Sequence, residues 1–283
     1  GQPGELTYAK DIARYYEPFE KIREEGLDGL IISGANVSHP GLELEPFWGA
    51  LTEVFDWARE NVTSTLCSCL ATHALIQYGY GIRRTHLGFK RWGVYSHRVV
   101  EPAHPLVSSI NTRFDVPHSR FNEIFREDME RVGLKPLVES AEAGVHLAVS
   151  EDLIRVVFFQ GHPEYDTVSL LKEYKREVYR FFEGAREDYP PLPEHYFNAE
   201  VAESYYAFGQ KVRRAKSAGE AMPPFAEPSS HVNLDNTWRD TAKAVFNNWL
   251  GLIYQVTNQD RRKPLMDSLD PHDPLGLIQK GRS

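Results

Sequence analysis

Only two cysteines and three methionines occur in 283 residues, and the cysteines, Cys67 and Cys69, lie two apart. Such neighbours cannot staple a fold, so a disulfide framework is excluded and a reducing compartment, the cytoplasm, is the expected location. No apolar run approaches the roughly 20 residues of a membrane span, and no signal-peptide pattern opens the chain. Positive charge is short: 32 Lys and Arg face 40 Asp and Glu, for a net charge of −8. That balance argues against nucleic acid or an anionic membrane as the main partner. Repeats and low-complexity tracts are missing. What remains is globular composition, 41% apolar and aromatic with 25% charged residues, in a chain able to bury one large core or two small ones.

The first half alternates strands and helices. Residues 8–25 carry apolar side chains near a 3.6 period, with Pro18 breaking or kinking the run. Leu27–Ser33 reads as a buried strand, Pro46–Asn61 as an amphipathic helix, Thr63–Ser68 as a strand and Ala71–Tyr78 as a helix ended by glycines. This order predicts a doubly wound α/β fold, mainly parallel, with helices on both faces. Short strands follow at Val94–Val100, Leu106–Asn111, Leu137–Ala141, Val145–Val149 and Ile154–Phe159, forming an insertion of different texture. A helix is expected over Thr167–Phe182, and another over about 236–255. Between them, about 189–230 has six prolines at its two ends and reads as an irregular surface excursion with at most a short helix near Ala199–Val212. The whole is expected to be one domain with its catalytic core at about 27–183.

The chemistry sits where strands end. Ser64-Thr65-Leu66-Cys67-Ser68-Cys69-Leu70-Ala71-Thr72-His73-Ala74 delivers a thiol to a strand–helix junction. Phe158-Phe159-Gln160-Gly161-His162-Pro163-Glu164-Tyr165-Asp166 repeats the layout with a His and a carboxylate. A thiol needs a base to become the attacking thiolate, and the base needs an orienting carboxylate. Cys69, His162 and Glu164 supply the three, at the strand ends where such folds build their sites, and suggest acyl transfer through a thioester. Cys67, two residues earlier, faces the same way one layer deeper and reads as core. Asp166 is expected to cap the following helix.

From about Asp28 to Arg176 the chain resembles the homoserine O-succinyltransferase and O-acetyltransferase family, with its class I glutamine amidotransferase-like fold. The resemblance is carried by Asp28-Gly29-Leu30-Ile31-Ile32-Ser33-Gly34-Ala35, Asn61-Val62-Thr63-Ser64-Thr65-Leu66, Gly93-Val94-Tyr95, Pro117-His118-Ser119-Arg120 and Gly161-His162-Pro163-Glu164-Tyr165-Asp166, in that order around the Cys. Asn247-Asn248-Trp249-Leu250 with Tyr254-Gln255 extends it to the C-terminal helix. The resemblance implies an acyl-CoA co-substrate, succinyl-CoA rather than acetyl-CoA, and L-homoserine as acceptor, with L-serine the alternative. It implies a ping-pong acyl-cysteine mechanism in methionine biosynthesis, a homodimer, and neither a metal nor a bound cofactor.

Residue by residue, the resemblance assigns Lys90, 21 after Cys69, and Arg176, 14 after His162, to substrate binding. Arg176 would grip the α-carboxylate of homoserine in a bidentate fork. Ser119 and Arg120, expected on a turn, would contact the amino acid or the acyl group, with His118 held back as structural. The backbone N–H groups of Leu70 and Ala35 would form the oxyanion hole. Ser38, 31 before the nucleophile, takes the position linked to acyl choice and leans toward succinyl because it neither crowds nor repels a distal carboxylate. The chain departs from the family by Leu70 in place of Trp and His73 in place of Gln, so His73 either touches the thiolate or replaces the Gln hydrogen bonds. The family carries a further strand-helix-strand ahead of the first matched segment, so the numbered chain is expected to be a trimmed portion. Two other classes use the same residues: an amidotransferase-like or peptidase-like cysteine hydrolase, and a non-catalytic metabolite binder.

Overall fold

A computed structural model describes residues 14–35, 37, 39–225 and 234–278. Helix α1 (Phe19–Glu25) begins directly after Pro18, whose fixed φ suits a helix start but not a helix interior. The expected helical residues before 14 lie outside the described part, as does the end of the excursion. Strand β1 (Gly29–Ile32), helix α2 (Trp48–Asn61), strand β2 (Ser64–Ser68) and helix α3 (Leu70–Tyr80) form the expected βαβα unit. Gly81, left-handed at φ 71°, ends α3. Strands β3 (Thr85–Val99) and β4 (Arg113–Glu123) make a long hairpin, followed by α4 (Arg126–Arg131), β5 (Lys135–Ser140), β6 (Gly144–Val149) and β7 (Val156–Phe159). Helices α5 (Ser169–Phe182), α6 (Ala199–Ala218) and α7 (Arg239–Val256) complete the described chain.

Seven strands join one sheet in the order β1-β2-β7-β6-β5-β3-β4. The β1-β2-β7 part is parallel and the rest antiparallel, so the expected doubly wound core and the short-stranded insertion share a single sheet. All five β2 residues are buried, as a central parallel strand requires. One face packs Leu42, Phe55, Cys67, Leu70, Ala71 and Phe158 under α2 and α3. The other packs Leu66, Val116, Leu147, Val157 and Trp249 under α7, and Trp249 Nε1 donates to Ser64 Oγ at 2.8 Å.

Four local expectations are corrected. The strand expected at Leu106–Asn111 is a short 3-10 turn at Pro105–Val107, and the strand runs instead through Arg113–Glu123. Pro117 and its neighbours are therefore strand, not turn; proline is tolerated because β4 is an edge strand, where a missing N–H breaks no ladder. The helix after His162 starts at Ser169 behind Val168, so Asp166 contributes only its carbonyl, to Ser169 N. The proline-flanked excursion holds a 20-residue helix, α6, capped by the Asn198 side chain and by left-handed Gly219. It buries Val201, Tyr205, Phe208 and Val212 against Tyr174 and Val178 of α5; its apolar spacing is diluted by charged residues, and tertiary packing supplies the helix stability that periodicity did not advertise.

The segment before α6 is tied to β3 by Val94 N–Glu194 O and Glu194 N–Trp92 O bonds, both 2.8 Å. A Cβ on Gly93 would stand 2.2 Å from the Glu194 carbonyl oxygen. Gly93→Ala is expected to break both bonds and cost about 2 kcal/mol, at about 1 kcal/mol per hydrogen bond, read as a lower denaturant midpoint. An unchanged midpoint would show that the strap is not a stabilising element.

Candidate active site

Cys69 caps α3 in a strained conformation, φ 54° and ψ −111°. A non-glycine residue there costs about 1–3 kcal/mol and persists only where surroundings over-determine it. They do so here. Cys69 N donates to Phe159 O at 2.8 Å, and Thr72 Oγ bonds both Cys67 O and Phe159 O at 2.9 and 2.8 Å. The thiol is thereby presented above the sheet at the N-terminus of a helix. Gly34 passes so close that its Cβ would lie 3.4 Å from Leu70 N and 3.5 Å from Cys69 Cβ. The Gly34 backbone thus runs close beside Cys69 and the first residue of α3. Cys67 is fully buried, and burial pushes its thiol up.

His162 follows β7 and meets Cys69. Its Nδ1 bonds Glu164 Oε1 at 2.8 Å, and Tyr165 stacks on its ring with centroids 4.3 Å apart. Burial opposes its protonation, but hydrogen bonds to Cys69 and Glu164, with their charges, outweigh burial and raise it to about 10. The arrangement favours an imidazolium beside the thiol. The expected trio of Cys69, His162 and Glu164 therefore meets in space. His73 does not join it: its Nε2 donates to Gln160 Oε1 at 2.9 Å, which also accepts from Ile124 N. Burial brings His73 down to about 3 and keeps it neutral.

The curled sheet brings β4 over the end of β7, and His162 N donates to Pro117 O at 2.7 Å. Behind this bond runs a directional chain. Arg120 Nε has only a proton to give, and its partner His118 Nδ1, at 3.2 Å, must accept. The His118 proton then sits on Nε2 and goes to His97 Nε2 at 3.1 Å, leaving His97 Nδ1–H to donate to Tyr95 O at 2.8 Å. Burial, with the Arg120 charge, pushes His118 well below the usual imidazole range, and burial lowers His97 to about 4. Gly161 leans on this pair, since a Cβ there would lie 2.8 Å from His118 Nε2.

Of the expected substrate contacts, Lys90 and Ser119 converge on a residue the sequence did not single out. Glu173 accepts from Lys90 Nζ at 2.9 Å, Ser119 Oγ at 2.7 Å and Tyr165 OH at 2.6 Å. Burial opposes its ionisation, but Lys90 and the three hydrogen bonds outweigh it and hold the carboxyl low. Burial in turn lowers Lys90, with Glu173 offsetting part of it. Glu173 stands three residues before Arg176 on α5, a spacing that puts both on one face; that was its only signal in the sequence. Arg176 is 63% exposed, its Nε 3.5 Å from Glu177, with a guanidinium open to solvent. Arg120 differs from expectation: it is 4% exposed, with its donors spent on His118, Asn122 O, Glu123 and Ala143 O. It supports the site and has no fork to offer. Ser38 lies outside the described residues.

Because His162 titrates above its ordinary value, its contribution to stability is complete below about 6.5 and is lost as pH rises through about 10. Cys69→Ala removes one of its two hydrogen-bond partners. The His162 titration, followed by NMR, is expected to fall from about 10 toward the ordinary imidazole range. A midpoint that does not move would separate His162 from the thiol.

The geometry can be set beside known proteins. Residues 3–259 match the family model "Homoserine O-succinyltransferase". Relatives of that name are 73% identical over 98% of this chain and 78% of the relative in Methylococcus capsulatus, and 65% identical over 94% and 75% in Methylobacter tundripaludum. Among solved structures, a glutamine amidotransferase from Thermotoga maritima aligns over 67% of this chain and 76% of its own, at 15% identity and a TM-score of 0.40. Among the described residues no helix is long and apolar enough to cross a membrane. With the Cys, His and Glu in place and the family pattern running through nearly all of it, the chain belongs to the homoserine O-succinyltransferase family.

Proposed function

We propose that the protein transfers a succinyl group from succinyl-CoA to the side-chain hydroxyl of L-homoserine through a thioester on Cys69, a step of methionine biosynthesis. The observation that carries this reading is the cradle beside the triad: Lys90, Ser119 and Tyr165 meeting on Glu173, with Arg176 three residues on. A simple hydrolase has no use for a second amino-acid site. The names of the relatives support the choice of acyl group and acceptor.

The Cys69 thiolate attacks the thioester carbonyl carbon, and the oxyanion falls to the N–H groups of Leu70 and Ala35. The new carbon–sulfur bond forms, the bond to the CoA sulfur breaks, and CoA leaves with the proton of the His162 imidazolium. Neutral His162 then takes the proton of the homoserine hydroxyl, whose oxygen attacks the acyl-Cys69 carbon and releases the thiolate. Glu164 holds the imidazole in register for both steps. In the cradle, Glu173 receives the substrate ammonium and Arg176, with Lys90, its carboxylate.

Cys69→Ser is expected to lose nearly all turnover and its covalent succinyl adduct in intact-mass measurement, whereas Cys67→Ser keeps both. An adduct found elsewhere would overturn the assignment. His162→Asn is expected to lower kcat by the roughly 10²–10⁴-fold typical of a lost general base. Glu173→Gln should raise the homoserine KM by about tenfold or more, since hydrogen bonds to charged groups contribute roughly 1.5–3 kcal/mol, with acylation by succinyl-CoA unchanged. An unchanged KM would show that the ammonium binds elsewhere.

A further inference from the structure

The acyl group of the proposed reaction carries a second carboxylate, and nothing in the triad or the amino-acid cradle receives it. A carboxylate in a half-buried cleft needs a cation. The cations around the cleft are mostly committed. Lys90 is held by Glu173, Arg83 by Glu43 at 3.0 Å, Arg120 by Glu123 at 3.0 Å, and Arg91 stands 3.8 Å from Glu123. Arg84 is the exception: among the described residues it makes no hydrogen bond and no ion pair, yet it is half-buried.

Its position follows from the packing around α3. Leu42 and Ile82 lie in one cluster with Leu70, Ala71 and Ala74, so the segments leading to Glu45 and Arg84 both flank the helix that starts at the nucleophile. The Arg83–Glu43 ion pair and the Gln77–Glu43 bond of 2.7 Å clamp these segments together. Arg84, the next residue along, lies within electrostatic reach of Cys69, His73 and Glu45. Burial lowers its pKa, and the charges of Cys69 and Glu45 raise it. Glu45 is itself occupied by His39, whose N–H donates to it at 2.7 Å and whose ring stands 3.5 Å away. A free guanidinium thus stands on the α3 side of the thiol, while Lys90 and Glu173 belong to the β3–α5 side.

We propose that Arg84 is the specificity residue for the acyl donor: its guanidinium holds the distal carboxylate of the succinyl group while the thioester carbonyl sits over Cys69. The inference rests on the succinyl-transfer reading above. It gives the choice of acyl group an attractive element, where the Ser38 argument supplies only the lack of a repulsive one. The fork of Arg84 binds a planar carboxylate in two hydrogen bonds, which an acetyl group cannot accept.

The test compares succinyl-CoA with acetyl-CoA on wild type, Arg84→Gln and Arg84→Lys, reading CoA release and acylation of Cys69 by intact mass. Arg84→Gln is expected to lower kcat/KM for succinyl-CoA by about tenfold to a hundredfold, the range for a lost charge-assisted bond, and to leave acetyl-CoA within about threefold. Arg84→Lys, which keeps the charge and loses the fork, should fall between. An equal loss on both donors would show that Arg84 serves the thiol or the fold and would overturn the proposal, as would an unchanged succinyl rate. If wild type forms no succinyl-Cys69 yet is acetylated by acetyl-CoA, the donor reading itself fails and Arg84's role falls with it.

Discussion

The site depends on one backbone hydrogen bond, from His162 N to Pro117 O. In the sheet, β7 and β4 are separated by three strands, and they meet only because the sheet curls until its edge strand reaches the end of β7. A proline carbonyl is a fitting acceptor there. Edge position tolerates the missing N–H, and the fixed φ of Pro117 limits how the carbonyl can turn. Without this closure His162 would lose its tie to β4, and Ser119 would not share a surface with α5.

The buried polar chain behind that bond accounts for residues that otherwise look out of place. Two histidines and an arginine under the His162 loop are costly to bury unless every donor finds an acceptor. The chain from Arg120 through His118 and His97 to the Tyr95 carbonyl satisfies that condition in one direction only. Because both rings stay neutral, they add no positive charge beneath His162, whose partners favour an imidazolium. Arg120 fixes that direction.

Strain at Cys69 and the strap at Gly93 follow the same logic at other points of the sheet. Each holds a residue where local preference would not put it, and each is anchored by bonds from a neighbouring strand. Cys69 is fixed through Phe159 O, so Cys69 and the strand that leads to His162 are set against each other. The Glu194 strap fixes Trp92, whose ring lies beneath the Lys90 ammonium at 4.2 Å. Through that stacking, the proline-flanked excursion is coupled to the Lys90–Glu173 pair.

The sequence by itself determined the parallel β1-β2 unit, the strand–helix junction at Cys69, the Gly-His-Pro-Glu turn and the burial of Cys67, because local apolar periods, glycine stops and a helix start specify them within a few residues. The family resemblance also grouped Lys90, Ser119, Arg120 and Arg176 as substrate contacts, of which Arg120 is buried instead. It did not yield Glu173 as their meeting point, since an acid on an amphipathic helix looks like any solvated acid until β3 and β4 are laid against it. It misread Pro117 and its neighbours as a turn, because edge position is a property of the sheet and not of the segment. It missed the length of α6, whose stability comes from α5. Whether Arg120 faces substrate or core, and whether His73 faces the thiolate or Gln160, depended on partners 23 and 87 residues away. Only the curled sheet, which sets distant carbonyls beside buried donors, decided those questions.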